Sequence, residues 1–227
     1  MDPTDRFSNT VDNYHRYRPG YPPALLSFMQ TELELRPEDP IADIGSGTGK
    51  LSQLLLDNGN PVYAVEPNAP MRKAAEKWLG KYPNFHSIDG RAEATGLPPA
   101  SVDFITAGTA FHWFEVAPAR REFQRILRPG GRVLLIWNLW RHEPEPFNRA
   151  YLAFLHRYAT DFQASVRLWE DEGRIRQLFG EDAYSRVSFR HHQSFDREGA
   201  WGRYRSSSYA LPPDHPQFDE AREALQS

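Results

Sequence analysis

The residues equipped for chemistry begin with Gly45, Gly47 and Gly49, set at alternate positions in Gly45-Ser46-Gly47-Thr48-Gly49. The apolar run Ile41-Ala42-Asp43-Ile44 leads into them, and Leu51, Leu54, Leu55 and Leu56 follow at helical spacing. That order predicts a buried strand, a tight turn and a helix. Glycine lets the main chain turn where a Cβ forbids it and approach a ligand closely. The start of the helix offers free N–H groups to polar or anionic atoms. A phosphate-binding G-x-x-x-x-G-K-[ST] loop does not fit, because Ile44 stands at its first glycine and Leu51 at its hydroxyl position. A dinucleotide loop, G-x-G-x-x-G, fails at Lys50, where its third glycine belongs. Glu66 ends a second apolar run, Val62 to Val65, about 20 residues past the glycines. In nucleoside-binding α/β folds a carboxylate at that spacing accepts from both ribose hydroxyls. His112 follows the apolar run Ser101–Gly108 and stands among Phe111, Trp113 and Phe114. In an open parallel sheet that is where ligands bind. A histidine there either fills core or acts on a nucleophile near neutral pH.

Elements must position these groups. Before the first strand, Val11 to Tyr17 reads as a short helix, and Tyr17-Arg18-Pro19-Gly20-Tyr21-Pro22-Pro23 breaks it. Ala24 to Leu33 reads as an amphipathic helix. Pro67-Asn68 starts a helix through Met71, Ala74, Ala75, Trp78 and Leu79, and Phe85 to Gly90 is a third strand. Ser101–Gly108 is a fourth, Ala117 to Leu127 a helix, Leu127 to Arg132 a turn and Val133 to Asn138 a fifth, fully apolar strand. Beyond Leu139 the pattern changes. Glu143-Pro144-Glu145-Pro146 punctuates the chain, a helix carries Phe147 to Tyr158, and Val166 to Phe179 suggests another. Tyr184 to Phe195 alternates as a sixth strand would, and Phe218 to Leu225 reads as helix.

Four strings carry a resemblance. G-x-G-x-G after an acidic-apolar strand resembles motif I of the class I S-adenosylmethionine-dependent methyltransferases. Tyr14, Arg18 and Tyr21, in Tyr-x-x-x-Arg-Pro-x-Tyr-Pro, resemble the N-terminal arm of a subgroup that includes trans-aconitate methyltransferase-like and type 11 proteins. Ala110-Phe111-His112-Trp113-Phe114 resembles the same subgroup, and Leu127 to Asn138 closely matches the helix–turn–strand that ends the family core. The resemblance implies a Rossmann-like, doubly wound, mostly parallel α/β sheet with a helical cap. It divides the chain into an arm and helix (1–40), a cofactor-binding core (41–138), a cap insertion (139–183) and a C-terminal part of the fold (184–227). The family's seventh strand has no candidate after Leu225, so a truncated chain or a short sheet is expected. The implied cofactor is S-adenosyl-L-methionine, held by Gly45, Ser46, Gly47, Gly49, Glu66, Pro67 and Thr109. The arm residues Tyr14, Arg18 and Tyr21 close over it, by cation–π contact with the sulfonium and by pairing with its carboxylate. Met71 packs either on the adenine or in the core. Arg91, Ala92 and Glu93 are the adenine readers. His112 and Trp113 are the catalytic candidates, Trp137 and Asn138 lie at the mouth of the site, and Arg18 or Arg141 would orient a carboxylate acceptor.

The composition sets bounds. A length of 227 residues suits one α/β domain with an appended cap. The net charge of −3 gives no electrostatic case for nucleic acid. The absence of cysteine excludes thiol catalysis, disulfides and Cys–Zn sites, and no metal is expected. No run of 18 apolar residues reads as a membrane span, and the N-terminus shows no signal pattern. The expected protein is cytoplasmic, binds a small-molecule acceptor without nucleic acid or membrane, and has no stated oligomeric state. It methylates an oxygen or nitrogen nucleophile or a carboxylate. The rival readings are a non-catalytic S-adenosylmethionine or nucleoside binder, and an NAD-dependent oxidoreductase.

Overall fold

The structure, a computed structural model, describes residues 11–139, 146–160, 162, 171–181 and 183–226. They divide into two compact units. The first unit holds Gly20–Trp137 and Asp171–His191.

The first unit is built on β1 (Ile41–Ile44), β2 (Val62–Val65), β3 (Phe85–Ile88), β4 (Val102–Gly108) and β5 (Leu127–Ile136). They form a parallel sheet in the order β3-β2-β1-β4-β5. Ile41 is paired with Val62 on one side and with Phe104 on the other. Alternate side chains serve two separate cores. Ile41, Val62 and Phe104 join Leu25, Met29, Leu51, Leu55 and Leu79 on one face. Ala42, Ile44, Val65, Ile105 and Ala107 join Phe111, Phe114, Phe123, Ile126, Ile175 and Leu178 on the other. The helices that supply these residues are α2 (Pro23–Glu32), α3 (Lys50–Asp57), α4 (Ala69–Leu79), α5 (Val116–Ile126) and α7 (Glu172–Phe179). The sheet is therefore covered on both faces, as the doubly wound reading requires.

The second unit holds α1 (Val11–Tyr17), α6 (Pro146–Tyr158), α8 (Arg197–Arg205) and α9 (Phe218–Gln226). Its core is aromatic: Tyr151, Phe154, Tyr158, Tyr204 and Tyr209. Tyr204 is fully buried, donates to Tyr158 O at 2.8 Å and accepts from Leu211 N at 2.9 Å. Phe154 meets it edge-on, with ring centroids 5.0 Å apart. No helix of the described residues is long and apolar enough to cross a membrane.

Two expectations change, and a third is met over its described part. Leu127 to Arg132 is not a free turn. Leu127 already pairs with Val102, pairing resumes at Arg132 with Phe104, and the residues between bulge out of register. Pro129, which has no N–H to give a ladder, lies in that bulge, and Gly130 supplies its positive φ of 83°. Tyr184 to Phe195 forms no strand. Its aromatic residues pack one by one on helices rather than on a sheet face: Tyr184 against Phe179, and Phe189 against Phe28 of α2. Of the helix expected over 166–179, the described part is α7, which packs on α5 in the first unit, while 163–170 lie outside the described residues. The Glu143 to Glu145 punctuation, Arg141 and residues 1–10 also lie outside them.

Candidate functional site

The glycine loop sits where β1 ends. Gly45 N and Ser46 N both donate to Val65 O, at 2.8 and 3.2 Å, so the loop is fastened to the end of β2. Gly45 has φ of +67°, and a Cβ there would stand 2.6 Å from Ala110 Cβ. No side chain fits, and this close approach brings the loop against the turn that carries His112. Gly49 has φ of +83° as the N-cap of α3, where a Cβ would stand 2.4 Å from Leu79 Cδ1.

Glu66 is buried beside this loop. Its Oε2 accepts from Gly47 N at 2.8 Å and its Oε1 from Asn68 N at 2.8 Å. Burial pushes its carboxyl above the usual range, with the N–H groups of Asn68 and Gly47 opposing the shift. A carboxylate has about four acceptor positions. Two are used, one on each oxygen, which leaves one on each oxygen for a diol. Arg72 braces Glu66 from behind, donating to its backbone oxygen at 2.7 Å and pairing with Asp89. Ser46 Oγ and Thr48 Oγ1 are buried with no hydrogen-bond partner among the described residues. Unpaired buried hydroxyls in a ligand loop call for a polar ligand.

Asp43 was not singled out by its type or spacing, yet it anchors the loop from below. It is fully buried, and it accepts from Ser52 Oγ of α3 at 2.6 Å and from Thr106 Oγ1 of β4 at 3.0 Å. Burial raises its pKa to about 6. The only sign of it in the sequence is its place in an otherwise apolar strand.

The wall beyond β4 starts with a strained residue. Thr109 has φ of +54°, rare for a β-branched side chain, while its N–H donates to Ile136 O at 2.7 Å. Phe111–Trp113 then forms one 3-10 turn. Phe111 and Phe114 are buried and meet edge-on at 5.9 Å, so the residues between them, His112 and Trp113, take the outer, half-buried positions. Their rings lie 4.7 Å apart. Arg174 of α7 holds the turn. Its Nη2 donates to Phe114 O at 2.6 Å, and its guanidinium lies 5.7 Å from the Phe111 ring centroid. Trp137, at the end of β5, meets Phe111 edge-on at 6.3 Å, and its Nε1 is buried with no partner among the described residues.

The structure brings Gly45, Ser46, Gly47, Gly49, Glu66 and Pro67 together, with Thr109, His112 and Trp113 on the adjoining turn. Met71 is buried in the first turn of α4, its N–H capped by Asn68 Oδ1 at 2.9 Å. Tyr21 also belongs here: a Cβ at Gly108 would stand 2.3 Å from its hydroxyl oxygen. The 91–93 segment is divided. Ala92 is buried and Arg91 exposed, while Glu93 Oε1 accepts from Glu115 N at 2.7 Å, which ties it to the start of α5. Tyr14 and Arg18 fall in the second unit, as does Asn138. Arg174 was missed because it lies in a stretch that reads as cap, and nothing in its spacing points to Phe111.

Residues 42–135 match the sequence profile of the family described as methyltransferase domain. An uncharacterized methyltransferase of Mycobacterium tuberculosis is 37% identical over 132 residues, covering 58% of this chain and 51% of that one. An uncharacterized methyltransferase of Geobacillus thermodenitrificans is 31% identical over 162 residues, covering 68% of this chain and 73% of that one. Among solved structures, a protein assigned as a methyltransferase from an antibiotic biosynthesis pathway of Anabaena variabilis shares 30% identity at a TM-score of 0.55, covering 68% of this chain and 59% of that one. The chain spans about half the length of several curated relatives that it matches. With a profile match that runs from the strand before the glycine loop into β5, and a relative 31% identical and matched over 73% of its length, the chain belongs to the methyltransferase-domain family.

Proposed function

We propose that the first unit binds S-adenosyl-L-methionine and that the protein transfers its methyl group to a small-molecule acceptor with an oxygen or nitrogen nucleophile, a carboxylate included. The observation that carries the reading is Glu66: a buried carboxylate bonded to Gly47 N–H of the loop, with one acceptor position open on each oxygen. Ser46 and Thr48, with their unpartnered hydroxyls, fit a polar ligand in the same loop. When bound, the cofactor supplies a methyl group already activated on a sulfonium. The chain's own residues then have three tasks. Glu66 and the loop fix the nucleoside. Trp113 offers an aromatic face to positive charge. His112 accepts a proton from a hydroxyl or amine acceptor; a carboxylate acceptor needs no base. Holding donor and acceptor in line can supply up to ~7–11 kcal/mol of the barrier. Tyr14 and Arg18 are assigned to the cofactor by resemblance alone.

The test is thermal unfolding with S-adenosylhomocysteine and NADH in parallel, on the native chain and on Glu66→Ala. A ligand at 100 times its Kd stabilises by about 2.7 kcal/mol. The expected result is a shift with the adenosyl thioether, none with NADH, and loss of the shift in Glu66→Ala. A shift with NADH alone would assign the protein to hydride transfer instead. Adenosyl binding with no turnover across oxygen, nitrogen and carboxylate acceptors would make it a non-catalytic binder.

A further inference from the structure

The second unit contains a cleft of about 340 Å³, lined by residues of α1, α8 and α9. α8 supplies Glu198, Trp201, Gly202 and Arg205, which its period places on one face. Glu198 and Arg205 stand two turns apart, about 10 Å along the helix. Tyr17, the last residue of α1, joins them, and Arg222 lines the cleft from α9. Gly202 admits the Tyr17 ring, because a Cβ there would stand 2.2 Å from Tyr17 Cε2. Trp201 is braced from behind, with ring centroids 5.3 Å from those of both Tyr204 and Phe218.

The charges in this cleft do not neutralise each other. Glu198 and Arg222 share it, yet neither side chain has an ion pair or hydrogen bond among the described residues. Arg205 is held in place by neutral groups. Its Nη1 donates to Leu211 O at 3.1 Å, and its guanidinium carbon lies 4.8 Å from the Phe218 ring centroid. Burial lowers its pKa, and the group that opposes the shift is the Tyr204 phenol, not a carboxylate. A guanidinium fixed in this way, with donors still free, is set for a carboxylate. A simple anion is a poor occupant, because Glu198 repels it. A molecule that carries both charges meets both ends of the face, and an aromatic body suits Trp201 and Tyr17. The volume is at the small end of ligand sites. We infer that this cleft binds a free α-amino acid with an aromatic side chain, its ammonium at Glu198 and its carboxylate at Arg205 and Arg222. Such a site needs residues of the second unit alone, and it stands whether or not the first unit transfers methyl groups.

Calorimetric binding to the full chain tests the site. The probes are L-phenylalanine, hydrocinnamate, which lacks the ammonium, and phenethylamine, which lacks the carboxylate. They are compared on the native chain, on Glu198→Gln and on Arg222→Gln. Both positions are exposed, so neither change disturbs the fold. Glu198→Gln is expected to weaken L-phenylalanine and phenethylamine by about 3- to 10-fold and to spare hydrocinnamate. Arg222→Gln is expected to weaken L-phenylalanine and hydrocinnamate by the same factor and to spare phenethylamine. Failure of L-phenylalanine to bind the native chain overturns the site. So does unchanged L-phenylalanine affinity in either variant, or an equal loss of all three probes. Glu66→Ala separates the cleft from the glycine loop. It is expected to leave L-phenylalanine affinity unchanged, and a loss there would assign the amino acid to the loop and overturn the cleft.

Discussion

At the scale of single residues, the glycine loop depends on two buried carboxylates with different duties. Asp43 joins β1 to α3 and β4, and Glu66 joins the end of β2 to Gly47. Asp43 has a folded pKa of about 6 against 3.8 for the free side chain. The folded state thus holds a proton that the unfolded state releases. Stability from this group is present below about pH 4 and is lost as pH rises through 6, by about 3 kcal/mol in all. Asp43→Asn removes the charge and keeps the shape. Urea unfolding across pH 4 to 7 is expected to show a flatter stability profile in Asp43→Asn than in the native chain. An unchanged slope would mean that Asp43 does not titrate in that window. Glu66→Gln makes the complementary case. An amide oxygen can still accept one of the two backbone N–H groups, but the other oxygen has become a donor facing an N–H. Adenosyl affinity is expected to fall by about 1.5–3 kcal/mol, roughly 10- to 100-fold, read by calorimetry.

At the scale of elements, the 3-10 turn at Phe111–Trp113 is held from outside itself. Arg174 reaches it from α7 and Trp137 from β5. Arg174→Ala removes one hydrogen bond to a backbone oxygen and one cation–π contact, worth about 1–3 kcal/mol together. The expected outcome is a fall in methyl transfer of at least about 10-fold, with adenosyl affinity within about 2-fold of native. Equal losses in both would show that Arg174 supports the glycine loop and not the turn. How far these elements were legible follows from their chemistry. The strands that end at Ile44, Val65 and Gly108 were legible because parallel strands buried on both faces read as continuous apolar runs. The glycine loop was legible because a positive φ and a missing Cβ leave few other residue types. The β5 bulge was not, since Arg128-Pro129-Gly130-Gly131 has turn chemistry and only pairing with Val102 and Phe104 shows that it lies within a strand. Tyr184 to Phe195 has the period of a strand, but among the described residues it pairs with none. Arg174 is legible only in three dimensions, because its partners are a carbonyl and a ring about 60 residues away.

At the scale of the whole molecule, the first unit has two cores and the second has one, and they differ in kind. Those of the first are mostly aliphatic and lie on the two faces of a sheet. That of the second is aromatic and knit by phenol hydrogen bonds. Tyr204→Phe removes a hydroxyl that both donates to Tyr158 O and holds Leu211 N. Leaving those buried groups unpaired costs about 1–3 kcal/mol. Hydrogen exchange is expected to quicken in α6, α8 and residues 209–211 while β1 and β4 keep their protection. Faster exchange in β1 as well would mean that the two units unfold together.

Among the described residues, β5 is hydrogen-bonded only on its β4 side. Along Val133-Leu134-Leu135-Ile136, the stretch of the strand that carries no charge, the amides and carbonyls on the other side have no strand partner among the described residues. Such a border can template the addition of another chain. Arg128 and Arg132 stand in the N-terminal half of the strand, where a second copy would meet like charge. Arg132→Val would lengthen the apolar border to five residues, and if Arg132 guards it, light scattering should rise with protein concentration sooner than for the native chain.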